Sequence, residues 1–159
     1  MHSSLAPFIG SLLERGLVDL TYIDGDSDEH FNNRLKLQKY VFLARYYDLD
    51  MKYRYNRYLR GPYNPGLAHD YYNLAKNREL PTKPNGAIIR NEFFELITNK
   101  DIEWLEAAST LLSLKESFRD GKSLLDRTIS MKEHISDEKI QSVLEELERL
   151  KLISFEQFC

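Results

Sequence analysis

The sequence predicts a mainly α fold: a compact helical domain with one or two winged-helix-like units and a short β-hairpin. Three observations carry that expectation. Apolar residues recur at three- and four-residue spacing along most of the chain, residues able to cap a helix stand just ahead of several such stretches, and Gly-Pro and Asn-Pro pairs punctuate the middle. With 159 residues, 42% of them hydrophobic, the chain buries roughly 70% of its unfolded surface and needs neither metal nor disulfide to hold a core. The single cysteine, Cys159, cannot form an internal bridge, which suits a reducing cytoplasm. Residues 1–15 lack a basic flank followed by a long apolar run, and no run of ~18 apolar residues occurs, so neither secretion nor a membrane span is expected.

The elements follow in order. Leu5, Phe8, Ile9, Leu12 and Leu13 lie on one helical face and Gly16 ends it, giving a helix over about 5–15. Asp26 with Glu29 forms a reciprocal cap for a second helix reaching about Tyr47. Its segment Leu35–Leu49 is apolar or aromatic on nearly every side, as a central helix packed by its neighbours must be. From Met51 to Leu59 aromatic and basic residues alternate, Tyr53 and Tyr55 on one face, Arg54 and Asn56 on the other, which reads as a short strand or extended segment. Gly61-Pro62 breaks it, and Asn64-Pro65 supplies a cap and a first helical residue for a third helix to about Asn77.

Glu79–Gly86, with two prolines and a glycine, is a loop. Ile88-Ile89 and Phe93–Ile97 bracket Asn91-Glu92 as a short hairpin, a helix over 92–97 being the alternative. Ile102, Leu105, Ala108 and Leu112 mark the next helix, Gly121 punctuates, and a further helix spans about Ser123–Lys132. Ser136 then caps a last helix that carries Ile140, Val143, Leu144, Leu147 and Leu150 on one face. The expected organisation is an N-terminal region, 1–100, with a C-terminal helical region, 101–159, packed on it as one unit.

The net charge of -3 is unevenly divided. Residues 1–33 hold one base and six acids, 34–60 hold eight bases and two acids, 61–100 sum to +1, and 101–159 to -5. Nine of the ten tyrosines lie between Tyr40 and Tyr72, so a basic, tyrosine-rich band separates two acidic ends. Arg54, Arg57 and Arg60, with Lys36, Lys39, Arg45 and Lys52, are placed to meet phosphates while Tyr53, Tyr55 or Tyr58 stack on bases. Tyrosine and arginine are equally the residues enriched at protein interfaces.

Leu35-Lys36-Leu37-Gln38-Lys39-Tyr40-Val41-Phe42-Leu43, followed after a gap by Arg60-Gly61-Pro62-Tyr63-Asn64-Pro65, resembles the signature of a prokaryotic group that includes YwgA-type proteins and the SocA-like antitoxins of the Panacea domain. The motif positions are Leu35, Gln38, Lys39, Gly61, Pro62, Tyr63 and Pro65. Arg60 stands where many members have an aromatic residue or lysine, and the resemblance covers about residues 30–80. It implies a non-enzymatic protein that binds a protein partner, as an antitoxin facing a toxin or as an adaptor. Physically, Gly61 permits a backbone angle other residues avoid, Pro62 restricts the next, and Asn64-Pro65 launches a helix, so the motif is a rigid corner that aims Tyr63.

Helix, helix, hairpin is also the order of a winged helix, met over Leu35–Ile97 and again over Ser123–Phe155. In the first, the outward face of the 65–77 helix offers His69, Asn73, Lys76 and nearby Arg78 to nucleic acid. In the second, Glu138, Gln141, Glu145, Glu146 and Glu148 outweigh Lys139 and Arg149, and phosphate is repelled.

Other chemistry is excluded by spacing. Asp24-Gly25-Asp26-Ser27-Asp28-Glu29 resembles the start of a calcium loop, but Glu29 stands where the loop needs glycine and Leu35 where it needs a bidentate acid. His2, His30, His69 and His134 are dispersed, without zinc spacing. No GxSxG, phosphate-binding loop or GxGxxG occurs. No catalytic residue, cofactor or metal is expected. The expected function is binding of a protein partner through Arg54, Arg57, Arg60 and Tyr63, with a winged-helix DNA- or RNA-binding regulator using Lys76 as the alternative.

Overall fold

Helical periodicity and capping account for almost every element of the computed structural model, which describes residues 2–58, 61–77 and 89–155; of Arg57 and Tyr58 only the backbone is described. The chain is mainly helical and divides into two units, Met1–Asn56 with Tyr63–Asn99 and Arg57–Pro62 with Lys100–Cys159. No helix among the described residues is long and apolar enough to cross a membrane.

In the first unit, α1 (Leu5–Glu14) buries Leu5, Phe8, Ile9 and Leu12 completely, the stripe its spacing predicts. Gly16 follows at φ 68°, and Leu17 N–H bonds Leu12 C=O at 2.9 Å, closing the helix with a left-handed residue. Helix α2 (Asp28–Ala44) is capped one residue later than expected. Ser27, not Asp26, has the extended backbone a cap requires, and its Oγ accepts from His30 N–H at 3.2 Å; Asp28 and Glu29 occupy the positive first turn. Seven consecutive residues of α2 from Gln38 to Ala44 are buried, as a helix packed on all sides requires.

Two three-residue strands, β1 (Asn56–Tyr58) and β2 (Gly61–Tyr63), pair with each other. Gly61 sits at φ 92°, a left-handed value that glycine alone adopts without strain. Helix α3 (Pro65–Asn77) follows, and then α4 (Asn91–Ile97). The hairpin expected over 88–97 is therefore a helix at 91–97. Phe93, Phe94, Leu96 and Ile97 are all buried, and only a helix brings that i, i+1, i+3, i+4 set to one face, since a strand would split it. Phe93 packs on Phe8 and Tyr47, ring centroids 5.6 and 6.0 Å away. The expected loop Glu79–Gly86 and Arg78 lie outside the described residues.

In the second unit, α5 (Ile102–Leu114), α6 (Gly121–Met131) and α7 (Asp137–Arg149) each start on a side-chain cap. Asp101 accepts from Trp104 N–H at 2.8 Å, Asp120 from Ser123 N–H at 2.7 Å, and Ser136 from Lys139 N–H at 3.2 Å. Gly121, expected to punctuate the chain, is the first residue of α6, because Asp120 caps ahead of it. After α7, Lys151 at φ 62° and the 3.0 Å bond from Leu152 N–H to Leu147 C=O wind the chain back on the helix end. Among the described residues, then, no strand follows α3 or α7 where the winged-helix expectation places a wing; the one ladder precedes α3.

Inside this unit Glu106 and Lys132 are 1% and 0% exposed, with Lys132 Nζ 3.8 Å from Glu106 Oε2. His134 Nε2 lies 2.8 Å from the same oxygen. One carboxylate on α5 thus anchors the end of α6 and the turn beyond it. Glu106→Gln removes the carboxylate charge 3.8 Å from the buried ammonium and is expected to cost about 3 kcal/mol in urea unfolding. The volume-conserving double change Glu106→Leu with Lys132→Met should cost far less. Equal losses in the two variants would show that the charge pair is incidental.

Candidate functional site

The site grows from one glutamine. Gln38 stands on the buried face of α2, 1% exposed, with its planar amide against the backbone of Asn64. Its Oε1 accepts from Asn64 N–H and its Nε2 donates to Asn64 C=O, both at 2.9 Å. The side chain thereby pairs with one residue as a neighbouring strand would. Asn64 uses its own amide in two directions: Oδ1 caps α3 by accepting from Leu67 N–H at 2.7 Å, and Nδ2 donates to the carbonyl of Arg54. A second tie, from Tyr53 hydroxyl to Asp70 Oδ2 at 2.6 Å, joins the same segment to α3.

These ties fix Tyr53 and Arg54 against α3 and its cap, in a segment, 51–55, that pairs with no strand among the described residues. The segment alternates as its sequence predicts: Lys52, Arg54 and Asn56 exposed, Tyr53 and Tyr55 half-buried, Met51 buried. Tyr55 stands edge-on to Phe42, ring centroids 5.2 Å apart at 83°, and the Arg45 guanidinium lies over the same Phe42 ring at 5.4 Å. Asp50 accepts from Lys52 N–H at 2.8 Å and has Lys52 Nζ at 3.9 Å. Lys52 adopts φ 65°, which turns the chain sharply into the extended segment. Arg45, Asp50, Lys52, Tyr53, Arg54 and Tyr55 line a cavity of about 470 Å³.

Burial raises three of the phenols around this segment, those of Tyr40, Tyr53 and Tyr55. It pushes Tyr40 up to about 12. Tyr53 and Tyr55 are raised too, by burial first, with the Asp70 bond adding to it at Tyr53 and Arg45 opposing it at Tyr55. All three are neutral O–H donors at physiological pH. The Tyr55 hydroxyl is buried and has no hydrogen-bond partner among the described residues.

The other expected site residues are distributed differently. Arg60 lies outside the described residues, and of Arg57 only its place in β1 is described. Tyr63 ends β2, half-buried. Lys76, in the last turn of α3, lines a different cavity, of about 690 Å³, with Leu20, Thr21 and Asp24, so it is not part of the Arg54 cluster. Lys39 is 1% exposed and unavailable to phosphate, because α2 buries the face that carries it. Lys36 is half-buried on another cavity, between α1 and α2, with Asp19, Tyr22 and Glu29. Leu35 and Pro62 are buried in the fold, and Pro65 opens α3. The sequence named Gln38 as a motif position without a role; its pairing with a backbone 26 residues away leaves no local signal. Nor does any spacing reveal the Glu106, Lys132 and His134 cluster.

No family model, curated protein or solved structure matches the chain.

Gln38→Ala leaves the Asn64 N–H without its acceptor, while the Asn64 carbonyl still accepts from Ala68 N–H at 3.2 Å, and a loss of about 2 kcal/mol is expected from the unmade bond. Hydrogen exchange should locate it: the Asn64 and Leu67 amides should exchange faster while those of α5 stay protected. Unchanged exchange at Asn64 would mean that the clamp does not hold the corner.

Proposed function

We propose that this chain is a non-enzymatic binding protein, antitoxin-like or adaptor, that engages a protein partner through the basic, tyrosine-rich surface around Arg54. One observation carries the reading. Arg54 is exposed, yet its carbonyl is held by Asn64 and the preceding Tyr53 is tied to Asp70. An arginine on a segment already ordered loses less freedom on binding than one on a mobile loop, and arginine flanked by tyrosines is the composition of an interface hot spot. Arg57 and Arg60 extend the basic run in sequence. Resemblance to the SocA-like, Panacea group rests on the two motifs quoted above, and it supports a toxin as the partner.

The test is recovery of a partner by the tagged chain, its identification, and reconstitution from purified proteins. Arg54→Glu and Arg57→Glu should each abolish recovery, and Arg54→Glu should shift the thermal melt little, because an exposed charge contributes about 0–1 kcal/mol to stability. Undiminished recovery with both variants would overturn the reading.

A second reading, a DNA- or RNA-binding regulator, is favoured by the outward face of α3. There His69, Asn73 and Lys76 are all exposed, and the Asn73 amide lies 3.1 Å from His69 Nε2. A gel shift at low salt should then be weakened by Lys76→Glu and by added salt. The absence of any shift at tens of micromolar would remove this reading.

A further inference from the structure

We propose that the cavity lined by Arg45, Asp50, Lys52, Tyr53, Arg54 and Tyr55 is a carboxylate pocket, which seats one glutamate or aspartate side chain from an acidic segment of a protein partner. The inference rests on the partner-binding reading above and names what the partner presents.

Charge is the first argument. Of the four charged residues lining the cavity, Asp50 is already engaged by Lys52, through both its backbone N–H and its ammonium. Arg45 and Arg54 remain, and neither has a carboxylate partner among the described residues. Two guanidinium groups on one small cavity are an incomplete set of donors, and a planar carboxylate matches their fork geometry. Arg45 is also oriented: its guanidinium is held over the Phe42 and Tyr46 rings, 5.4 and 5.9 Å from their centroids. It therefore faces an incoming anion without first being ordered.

Rigidity of the wall is the second argument. Tyr55 packs edge-on against the same Phe42 ring as Arg45 and lines the same cavity, so the surface is ordered before a ligand arrives. In the proposed complex the guanidinium groups of Arg45 and Arg54 donate to the carboxylate, and the Tyr55 O–H, which is buried, takes no part.

The aromatic groups decide between a carboxylate and a nucleic acid. Base stacking needs an aromatic face turned outward, but Tyr53 is tethered through its hydroxyl to Asp70 and Tyr55 is packed edge-on to Phe42. Neither swings out without breaking a contact. Asp50 at the cavity admits a single charge held between two arginines far better than a run of phosphates.

The experiment uses the full chain and a fluorescein-labelled octapeptide with four glutamates, followed by anisotropy. The all-glutamine peptide, inorganic phosphate and oligothymidine serve as comparators. Saturable binding of the glutamate peptide is expected, weakened about tenfold by Arg45→Gln or Arg54→Gln, the loss of one charge-assisted contact. Circular dichroism melts of each variant guard against misfolding. Equal affinity for the glutamine peptide, competition by phosphate as strong as by free glutamate, or tighter binding of oligothymidine would each overturn the proposal. The outcomes also separate the two levels. Partner recovery that needs Arg54 without any peptide binding sinks the pocket alone, whereas peptide binding with recovery indifferent to Arg54 sinks the partner reading.

Discussion

The pairing of the Gln38 amide with the backbone of Asn64 is the constraint from which the ordered surface of the first unit follows. Two hydrogen bonds at 2.9 Å are individually worth about 1 kcal/mol, but their position multiplies their effect. They fix the residue that caps α3 and that also holds the Arg54 carbonyl. A side chain from the centre of α2 thereby determines where a helix starts and where an exposed arginine stands.

The corner works because each residue type does something its substitutes cannot. Glycine at 61 accepts φ 92°, and proline at 65 tolerates the first helical position, where its missing N–H costs nothing. Asparagine at 64 has both an acceptor for the α3 cap and a donor for the neighbouring carbonyl, and an ionised aspartate would lack the donor. Glutamine at 38 is long enough to reach and carries both halves of a peptide-like pair. Around this scaffold the tyrosines supply neutral donors: Tyr53 spends its hydrogen on Asp70, and Tyr55 keeps its own.

The second unit solves a different problem. Its three helices each begin on an aspartate or serine cap, and its apolar stripe is read directly from spacing. Its interior nonetheless holds a carboxylate and an ammonium side by side. Such a pair adds little net stability over an apolar equivalent, but it penalises any packing that separates the two charges. It therefore acts on which arrangement of α5 and α6 is adopted more than on how stable that arrangement is.

Six helices were legible from the sequence, since three- and four-residue periodicity and caps act within a few neighbouring residues. Boundaries slipped by one or two positions: Asp26 and Ser27 competed for the cap of α2, and Gly121, read as a break, is the first residue of α6 because Asp120 caps it. Residues 91–97 stayed undecided between hairpin and helix because so short a run spans barely two helical turns, and the burial of all four apolar residues, which excludes a strand with one buried face, exists only in the packed core. The basic, tyrosine-rich band was equally visible as composition, and so was the alternation of Tyr53 and Tyr55 against Arg54. Which of its cations face solvent was not: Lys39 is buried, Lys36 and Lys76 belong to other cavities, and Arg45, Lys52 and Arg54 share one. Sequence alone thus determined the elements and the concentration of charge, which depend on neighbours along the chain. Tertiary structure decided the clamp, the buried ion pair and the grouping of arginines with an unpartnered hydroxyl, because each joins residues whose proximity exists only once the helices have packed.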